Sequence, residues 1–316
     1  MYFGVAPLTM ATCSPSSVAD GGINDPGAAP YGNFMNYYTF NPPENRLSLI
    51  PSTLLQDLGH GGGLQTTLLL DVGCNSGELS VAFYKHLVPA PASREESDES
   101  RVHLLGLDLD ETLVQRAQQN NPLPGNISFI PLDITKGADR LREYLDRHGA
   151  SRFHLCLCLA VTMWVHLNHG DSGLLRLLSG LASVSQHLLL EAQPWKCYRS
   201  AARRLRKLGR SDFDHFKSLK VRGDVAEHAR EHLERNCGME LVQSFGSTTW
   251  DRKLLLFRRR STSRHLEPLF GCFWSRPKSR PMFLDMNATP ASRFQTEVFY
   301  LSLVVLGDVL CHIFFG

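Results

Sequence analysis

From about Leu68 onward, short apolar runs alternate with amphipathic segments whose apolar residues recur at helical spacing. The runs that predict strands are "TTLLLDVG", "VHLLGLDLD", "NISFIPLDI", "FHLCLCLAV" and "HLLLEAQPW", followed by the pair "MELVQSFG" and "KLLLFRRR". The segments that predict helices are "ELSVAFYKHL", "ETLVQRAQQN", "RLREYLDRH" and "SGLLRLLSGLASVS". Nearly continuous apolar strands separated by helices are typical of a parallel sheet covered on both faces. We therefore predict a doubly wound α/β domain over residues 64–260.

The flanking segments lack this periodicity. Residues 1–30 are rich in Gly, Pro and Ser and are predicted to be disordered. The polar segment 89–100 is predicted to be a surface insertion after the first helix. Beyond Ser261 the pattern disappears, and we expect 261–316 to be a divergent, loosely ordered tail.

The apolar stretch 298–315 resembles a membrane anchor in its length. It is interrupted by Asp308 and His312, whereas a spanning helix needs about 20 residues with few charges. The N-terminus has no basic region before its apolar residues, so no signal peptide is predicted. We expect no stable membrane association and a cytoplasmic location, with a tail anchor as the alternative for 298–315.

Charge and cysteine content narrow the class of protein. The 316-residue chain has a formal net charge of only +2, so nucleic-acid binding must rest on local clusters of charge. Its eight cysteines are scattered and include no Cys-x-x-Cys pair, which is the pattern of reduced cytosolic thiols. We expect a monomer.

Glycine and aspartate residues follow the first three predicted strands. Gly73 and Gly77, in "DVGCNSGELS", let the backbone approach a ligand, and the helix that follows presents free amides. Asp108 ends the second strand, where a carboxylate can bind ribose hydroxyls. Asp133 ends the third, where it can accept a hydrogen bond from an adenine amino group. These positions predict an S-adenosylmethionine site; the alternative is that they only cap strands. The absence of Gly-x-Gly-x-x-Gly weakens a dinucleotide site.

Three blocks of the sequence resemble the Bin3-type (Bicoid-interacting) RNA methyltransferases. They are "YGNFMNYYTFNPPENR", "LDVGCNSGELS", and "LAVTMWVHLNHGDSGLLRLL" followed by "LLLEAQPWKCYRSAARRLRKL". The resemblance covers residues 31–260. It implies a class I S-adenosylmethionine-dependent methyltransferase fold, with an N-terminal lid over 31–63 and a Rossmann-like, seven-stranded core over 64–260. His154 and Ala192 depart from the Asp and Pro that the family usually carries.

The resemblance also implies site residues. The cofactor contacts that it implies are Arg46, Asn75, Asp108, Asp133 with Ile134, and the backbone near Leu159. A cation at Arg46 would form a charge-assisted pair with the carboxylate of the methionine moiety. Tyr37 and Tyr38 are expected to face the substrate from the lid; "YGNFMNYYTF" could equally stack on a base or only cover the cofactor.

The stretch "TMWVHLNHGD" leaves the fourth strand beside the expected methyl donor. His166, His169 and Asp171 could hold a metal ion, but a phosphate oxygen is already anionic at pH 7 and needs no metal to activate it. We therefore favour His166, Asn168 and His169 as hydrogen-bond donors that shape a phosphate pocket. The first alternative is a structural role, with Asp171 capping the next helix; the second is a metal site.

The helix predicted for "KCYRSAARRLRKLGR" carries seven cations and no acid. At about 100° per residue, six of the cations share one arc: Lys196, Arg199, Arg203, Arg206, Lys207 and Arg210. Ala201, Leu205 and Leu208 fall on the opposite side, which would dock on the domain. We call these cations the cationic stripe and predict that it binds RNA phosphates, with Lys196 and Arg199 nearest the 5′-phosphate. The alternative is a solvated face.

These observations favour methyl transfer from S-adenosylmethionine to the 5′-monophosphate of RNA. Within the family, the sequence resembles most closely the branch linked to precursor microRNA and histidine tRNA. Because the acceptor oxygen is already charged, we expect catalysis by positioning alone, with no catalytic base and no metal. The alternatives are an RNA-binding module that retains the fold with weak or no catalysis, and a methyltransferase for small molecules or proteins.

Overall fold

The computed structural model of the protein describes residues 29–60, 66–88, 101–136 and 138–261. The predictions for residues 1–28, for the insertion 89–100 and for the tail after Ser261 lie outside these ranges. So does the apolar stretch 298–315. Within the described ranges, no helix combines the length and the apolar character that a membrane span requires.

Seven strands form one sheet in the order β3-β2-β1-β4-β5-β7-β6. They are β1 (Thr67–Val72), β2 (Val102–Asp108), β3 (Ile127–Pro131), β4 (Phe153–Leu159), β5 (Ser185–Glu191), β6 (Met239–Ser247) and β7 (Lys253–Arg259). Strands β1 to β5 pair in parallel, and β7 runs antiparallel between β5 and β6. The predicted doubly wound α/β architecture with a seven-stranded sheet is confirmed.

The helices precede and connect the strands. They are α1 (Tyr37–Phe40), α2 (Glu44–Leu47), α3 (Leu54–Asp57), α4 (Glu78–Leu87), α5 (Glu111–Gln119), α6 (Ala138–Arg147), α7 (Thr162–Val184), α8 (Trp195–Lys207) and α9 (Val225–Asn236). Side chains of β1 alternate between two hydrophobic cores, one on each face of the sheet. Leu68 and Leu70 pack with residues of α6 to α9, whereas Leu69 packs with residues of α3 to α5. Burial on both faces explains why β1 is mostly apolar, with Thr67 and Asp71 as its polar residues.

Helix α7 differs from its prediction. It begins at Thr162, so the stretch "TMWVHLNHGD", which was not among the predicted helices, is helical. The buried Gln193, just past β5, explains this early start, because its Oε1 accepts hydrogen bonds from the Thr162 hydroxyl (3.1 Å) and the Met163 amide (3.2 Å). A break at Gly170 (φ 68°, ψ −175°) then separates two helical segments.

Strand β5 is shorter than predicted, and α9 was not predicted. The strand ends at Glu191, since Pro194 cannot donate to a ladder and begins the turn into α8. In α9, buried residues recur at Val225, Ala229 and Leu233, and the side chain of Asp224 caps the first turn.

Candidate active site and family

The loop between β1 and α4 brings backbone close to neighbouring side chains. Gly73 has a φ of +77°, and a Cβ there would lie 2.5 Å from Val161 Cγ2. Gly77 has a φ of +84°, and a Cβ there would lie 2.8 Å from Phe129 Cζ. Residues other than glycine rarely adopt such a positive φ, and a Cβ atom does not fit at such short distances. The two glycines therefore define a close turn at the strand ends, where the sequence predicted cofactor contacts.

Asp108, at the end of β2, organises this loop. Its Oδ2 accepts a hydrogen bond from the Asn75 amide (2.9 Å), and its Oδ1 accepts one from the Asp110 amide (3.0 Å). Burial raises the pKa of Asp108, and these amides offset part of that effect. Each carboxylate oxygen accepts more than one hydrogen bond, so Asp108 retains acceptor capacity for a hydroxyl pair.

The side chain of Asp133 interacts with residues of its own turn. Its Oδ1 accepts hydrogen bonds from the Thr135 amide (2.9 Å) and hydroxyl (2.6 Å), and Lys136 Nζ lies 3.3 Å from Oδ2. Burial raises the pKa of Asp133, but Thr135 and Lys136 outweigh it, and the pKa falls below its ordinary value. Ile134 packs against the core, and Leu159 is buried at the end of β4. Their contacts with a cofactor stay predictions.

The N-terminal segment 31–60, the described part of the lid, is hydrogen-bonded to the loops after β1 and β2 and to α5. Four long-range hydrogen bonds connect them: Asn33 Nδ2 to Asp110 Oδ2 (2.9 Å), Tyr38 Oη to the Cys74 carbonyl (3.2 Å), Asn75 Nδ2 to the Phe34 carbonyl (3.1 Å), and Arg116 Nη1 to the Met35 carbonyl (3.1 Å). Tyr38 therefore supports the glycine loop, and its predicted contact with the substrate stays a prediction. Burial raises the pKa of its hydroxyl, which stays protonated and able to donate.

Arg46 lies in a buried cluster that the sequence did not predict. Its Nε donates to Glu191 Oε2 (2.5 Å) and its Nη2 donates to the Tyr37 hydroxyl (2.9 Å). Arg252 Nη1 donates to Glu191 Oε1 (3.2 Å) from the opposite side. Arg46 is 1% exposed and Glu191 0%. Burial alone would lower the pKa of Arg46, but Glu191 and Tyr37 raise it above its ordinary value.

The residues present fit S-adenosylmethionine. Arg46 Nη1 is buried and has no hydrogen-bond acceptor among the described residues, so a free charged donor is present for the carboxylate of the methionine moiety. Asp108 offers acceptors for the ribose hydroxyls, and the Gly73 turn allows backbone to approach. Arg46 was predicted to pair with the cofactor carboxylate, but it also pairs with Glu191. Only part of its guanidinium therefore remains for a cofactor.

A cavity of about 890 Å³ adjoins these residues. Its walls come from the lid, from the ends of β4 and β5, from α8, and from the turn between β6 and β7. The aromatic residues of the lining are Phe34, Tyr37, Phe40, Trp164 and Trp250, and the cations are Lys196, Arg204 and Arg252. A phosphate group alone occupies a small fraction of this volume, so the cavity has room for an anionic group together with a larger planar one.

The residues of the predicted cationic stripe on α8 lie in two different surroundings. Lys196 lines the cavity and pairs with Asp251 (3.1 Å). The remaining members of the stripe are exposed and outside the cavity lining: Arg199, Arg203, Arg206, Lys207 and Arg210. Tyr198, Ala201, Ala202 and Leu205 dock on the core. Leu208, predicted on the docking side, is 47% exposed because it follows the last residue of the helix.

The histidine stretch is built into the fold more deeply than predicted. His166 is buried, with Nε2 at 2.8 Å from Asp171 Oδ1 and Nδ1 at 3.0 Å from the Tyr198 hydroxyl. Since a carboxylate only accepts, Nε2–H donates to Asp171 and Nδ1 accepts from Tyr198. Burial lowers the pKa of His166, and Asp171 opposes this effect. His166 therefore lies away from the cavity lining, and the prediction that it lines a phosphate pocket disagrees with its position.

The neighbours of His166 are also engaged in structure. Asn168 Nδ2 donates to the carbonyls of Pro30 (3.0 Å) and Trp164 (2.9 Å). Asp171 accepts hydrogen bonds from the amides of Lys220 and Val221 and so fixes the segment before α9, instead of capping a helix with its side chain. His169 is half-buried and is not among the residues lining the cavity. In the described ranges, no three His, Cys, Asp or Glu residues are placed to hold a metal ion.

Sequence reasoning missed Glu191, Gln193, Arg204 and Arg252. Glu191 had a detectable signal, because an acid that ends a buried apolar strand needs a cationic partner. Arg204 belongs to the basic helix but lies outside the arc of the stripe. Arg252 follows a hairpin turn, and no local pattern indicates which strand end that turn approaches.

Comparisons with known proteins agree with this architecture. The Bin3 family (Bicoid-interacting protein 3) matches residues 153–259. A pre-miRNA 5′-monophosphate methyltransferase from Danio rerio is 67% identical over 239 residues, which cover 74% of this chain and 94% of the relative. An RNA 5′-monophosphate methyltransferase from Homo sapiens is 50% identical over 242 residues, covering 75% and 83%.

More distant proteins resemble the chain less. A U6 snRNA methylphosphate capping enzyme from Drosophila melanogaster is 30% identical over 219 residues and covers 64% of each chain. Identity to the monophosphate methyltransferases is thus higher, over more of the chain. The chain belongs to the Bin3 family of S-adenosylmethionine-dependent methyltransferases, together with the RNA 5′-monophosphate methyltransferases.

Proposed function

We propose that the protein transfers the methyl group of S-adenosylmethionine to an oxygen of the 5′-monophosphate of an RNA of the tRNA or precursor-microRNA class. The observation that carries this proposal is the cavity at the strand ends, whose lining combines aromatic rings with Lys196, Arg204 and Arg252. Cations suit a phosphate and rings suit the terminal nucleotide. The names of the relatives support the same substrate class.

Positioning accounts for the chemistry. A phosphomonoester has a second pKa near about 6, so its oxygen is anionic at neutral pH and needs no base. S-adenosylmethionine supplies an electrophilic methyl group on a sulfonium. The protein holds the phosphate in the cavity, among half-buried aromatic side chains and cations. Such orientation alone lowers barriers by about 7–11 kcal/mol in favourable cases. His166 has no role as a base, because both of its ring nitrogens are engaged within the fold.

The exposed part of the cationic stripe supports a structured RNA substrate. Arg199, Arg203, Arg206 and Lys207 extend along α8, away from the cavity in which Lys196 lies. The helix spans 13 residues, or about 20 Å at 1.5 Å per residue, a length that several successive phosphates of a stem occupy. These four cations are proposed to hold that stem without reading its sequence. A cytoplasmic location also stays a prediction.

The proposed function is tested with one RNA hairpin prepared with a 5′-monophosphate or a 5′-hydroxyl. Incubation with S-adenosylmethionine is expected to add 14 Da per methyl group (the mass of CH₂, from about 15 Da gained and 1 Da lost) to the phosphorylated RNA only, because catalysis here depends on an anionic acceptor. Mass spectrometry of the intact RNA and of its 5′-terminal nuclease fragment locates the methyl group. Methyl transfer to the 5′-hydroxyl RNA would contradict the proposal, and RNA binding without transfer would favour a non-catalytic RNA-binding module.

A further inference from the structure

The three cations that line the cavity differ in how their charge is balanced. Lys196 pairs with Asp251, and Arg252 pairs with the buried Glu191. For Arg204, the described part of the chain provides no carboxylate within ion-pair distance. Lys196 and Arg252 therefore each have a carboxylate partner, although Arg252 shares Glu191 with Arg46. Arg204 has no such partner among the described residues, and its charge is left for a ligand.

Arg204 is held in place by aromatic rings. Its guanidinium carbon lies 4.5 Å from the centroid of Phe34 and 5.9 Å from that of Trp164. Its Nε is buried and lacks a hydrogen-bond acceptor among the described residues. Burial also lowers its pKa from the ordinary value of arginine. A half-buried cation with an unused donor is costly unless an anion binds to it.

The position of Arg204 on α8 explains why it differs from its neighbours. Lys196, Ser200 and Arg204 follow one another at intervals of four residues, so they form one row along the helix, and all three line the cavity. Arg203 lies about 100° away around the helix axis and is exposed. Adjacent arginines thus face different surroundings, the cavity in one case and solvent in the other.

We propose that Arg204 is the residue that binds the anionic 5′-phosphate of the substrate; this assignment rests on the function proposed above. A guanidinium whose plane is fixed by stacking presents its donors as a fork, and that fork matches two oxygens of a phosphate. The exposed stripe then supplies affinity for the stem, and Arg204 supplies selectivity for the phosphorylated end.

The test compares Arg204→Gln with Arg203→Gln as the matched control on the same helix. Dissociation constants are measured for the 5′-phosphorylated and 5′-hydroxyl forms of one hairpin, at fixed salt and saturating S-adenosylhomocysteine. Wild-type protein is expected to prefer the phosphorylated form, and Arg204→Gln to reduce that preference about tenfold or more, the loss of one charged hydrogen-bonding partner. Arg203→Gln should weaken binding of both forms by the same factor.

Three outcomes overturn the assignment. If Arg204→Gln retains the preference, or if Arg203→Gln reduces it as much, Arg204 is not the phosphate ligand. If wild-type protein itself shows no preference, the proposed function falls, and the assignment with it. The affinity of each variant for the cofactor is measured as a control, because it reports whether the lid, which includes Phe34, is still folded. If Arg204→Gln loses cofactor affinity, the comparison is made with Arg204→Lys instead. Lysine keeps the charge but lacks the forked donors, so this variant should lose part of the preference for phosphorylated RNA.

Discussion

Glu191→Gln is expected to lower the free energy of unfolding by about 3–5 kcal/mol, the cost of leaving buried charges unpaired. Arg46 and Arg252 both donate to this carboxylate, and their side chains are 1% and 13% exposed. Glutamine has nearly the same shape, so the change removes the charge and leaves packing almost intact. Chemical denaturation followed by tryptophan fluorescence measures the loss.

Glu240→Gln is the matched control for this experiment. Glu240 on β6 pairs with Arg258 on β7, and the two side chains are 37% and 57% exposed. A surface pair contributes about 0–1 kcal/mol, so this variant should unfold close to the wild-type midpoint. Equal losses for the two variants would show that the buried cluster of Arg46, Glu191 and Arg252 has no special role in stability.

Asp108→Ala is expected to weaken S-adenosylmethionine binding about 100-fold or more, since two hydrogen bonds to a charged acceptor contribute about 1.5–3 kcal/mol each. The same change frees the Asn75 and Asp110 amides, which Asp108 now fixes. Isothermal titration calorimetry measures the cofactor affinity. RNA affinity should change little, because Asp108 is not among the residues lining the cavity.

Asp133→Ala provides the comparison. Its carboxylate lies at the neighbouring strand end but is already bound by Thr135 and Lys136. We therefore expect a smaller loss of about tenfold, because only one hydrogen bond, from the adenine amino group, is removed. If Asp133→Ala weakened cofactor binding as much as Asp108→Ala, the ribose assignment would be wrong. Unchanged affinity in Asp108→Ala would place the cofactor elsewhere.

Periodicity predicted the sheet because burial on both faces makes a strand such as β1 predominantly apolar. Local pattern also located the tight glycine turn and Asp108, since each lies directly at a strand end. It failed at the start of α7, where the deciding partner is Gln193, distant in sequence and reached only once β4 and β5 pair.

The same limit applies to the charged residues. A helical arc separates exposed cations from docking residues, and it placed Arg199, Arg203, Arg206 and Lys207 correctly at the surface. It does not show which side of α8 borders a cavity, because the lid and the turn between β6 and β7 form the other walls. Arg204 and Arg252 therefore emerge only from the folded structure. The pairing of Arg46 with Glu191 is invisible for the same reason.

The central claim is that a positioned, already anionic phosphate reacts without a protein base, and its most direct test is the pH dependence of single-turnover methyl transfer. The rate is expected to rise about tenfold per pH unit below about pH 6, as the phosphate loses its second proton, and to be level from about pH 7 to 9. Asp71 is buried with a pKa raised to about 6 by desolvation, so the profile is repeated with Asp71→Asn. The same rise in both proteins supports the claim. A further rise above about pH 7 that His169→Ala abolishes would show proton removal by the protein and would contradict it.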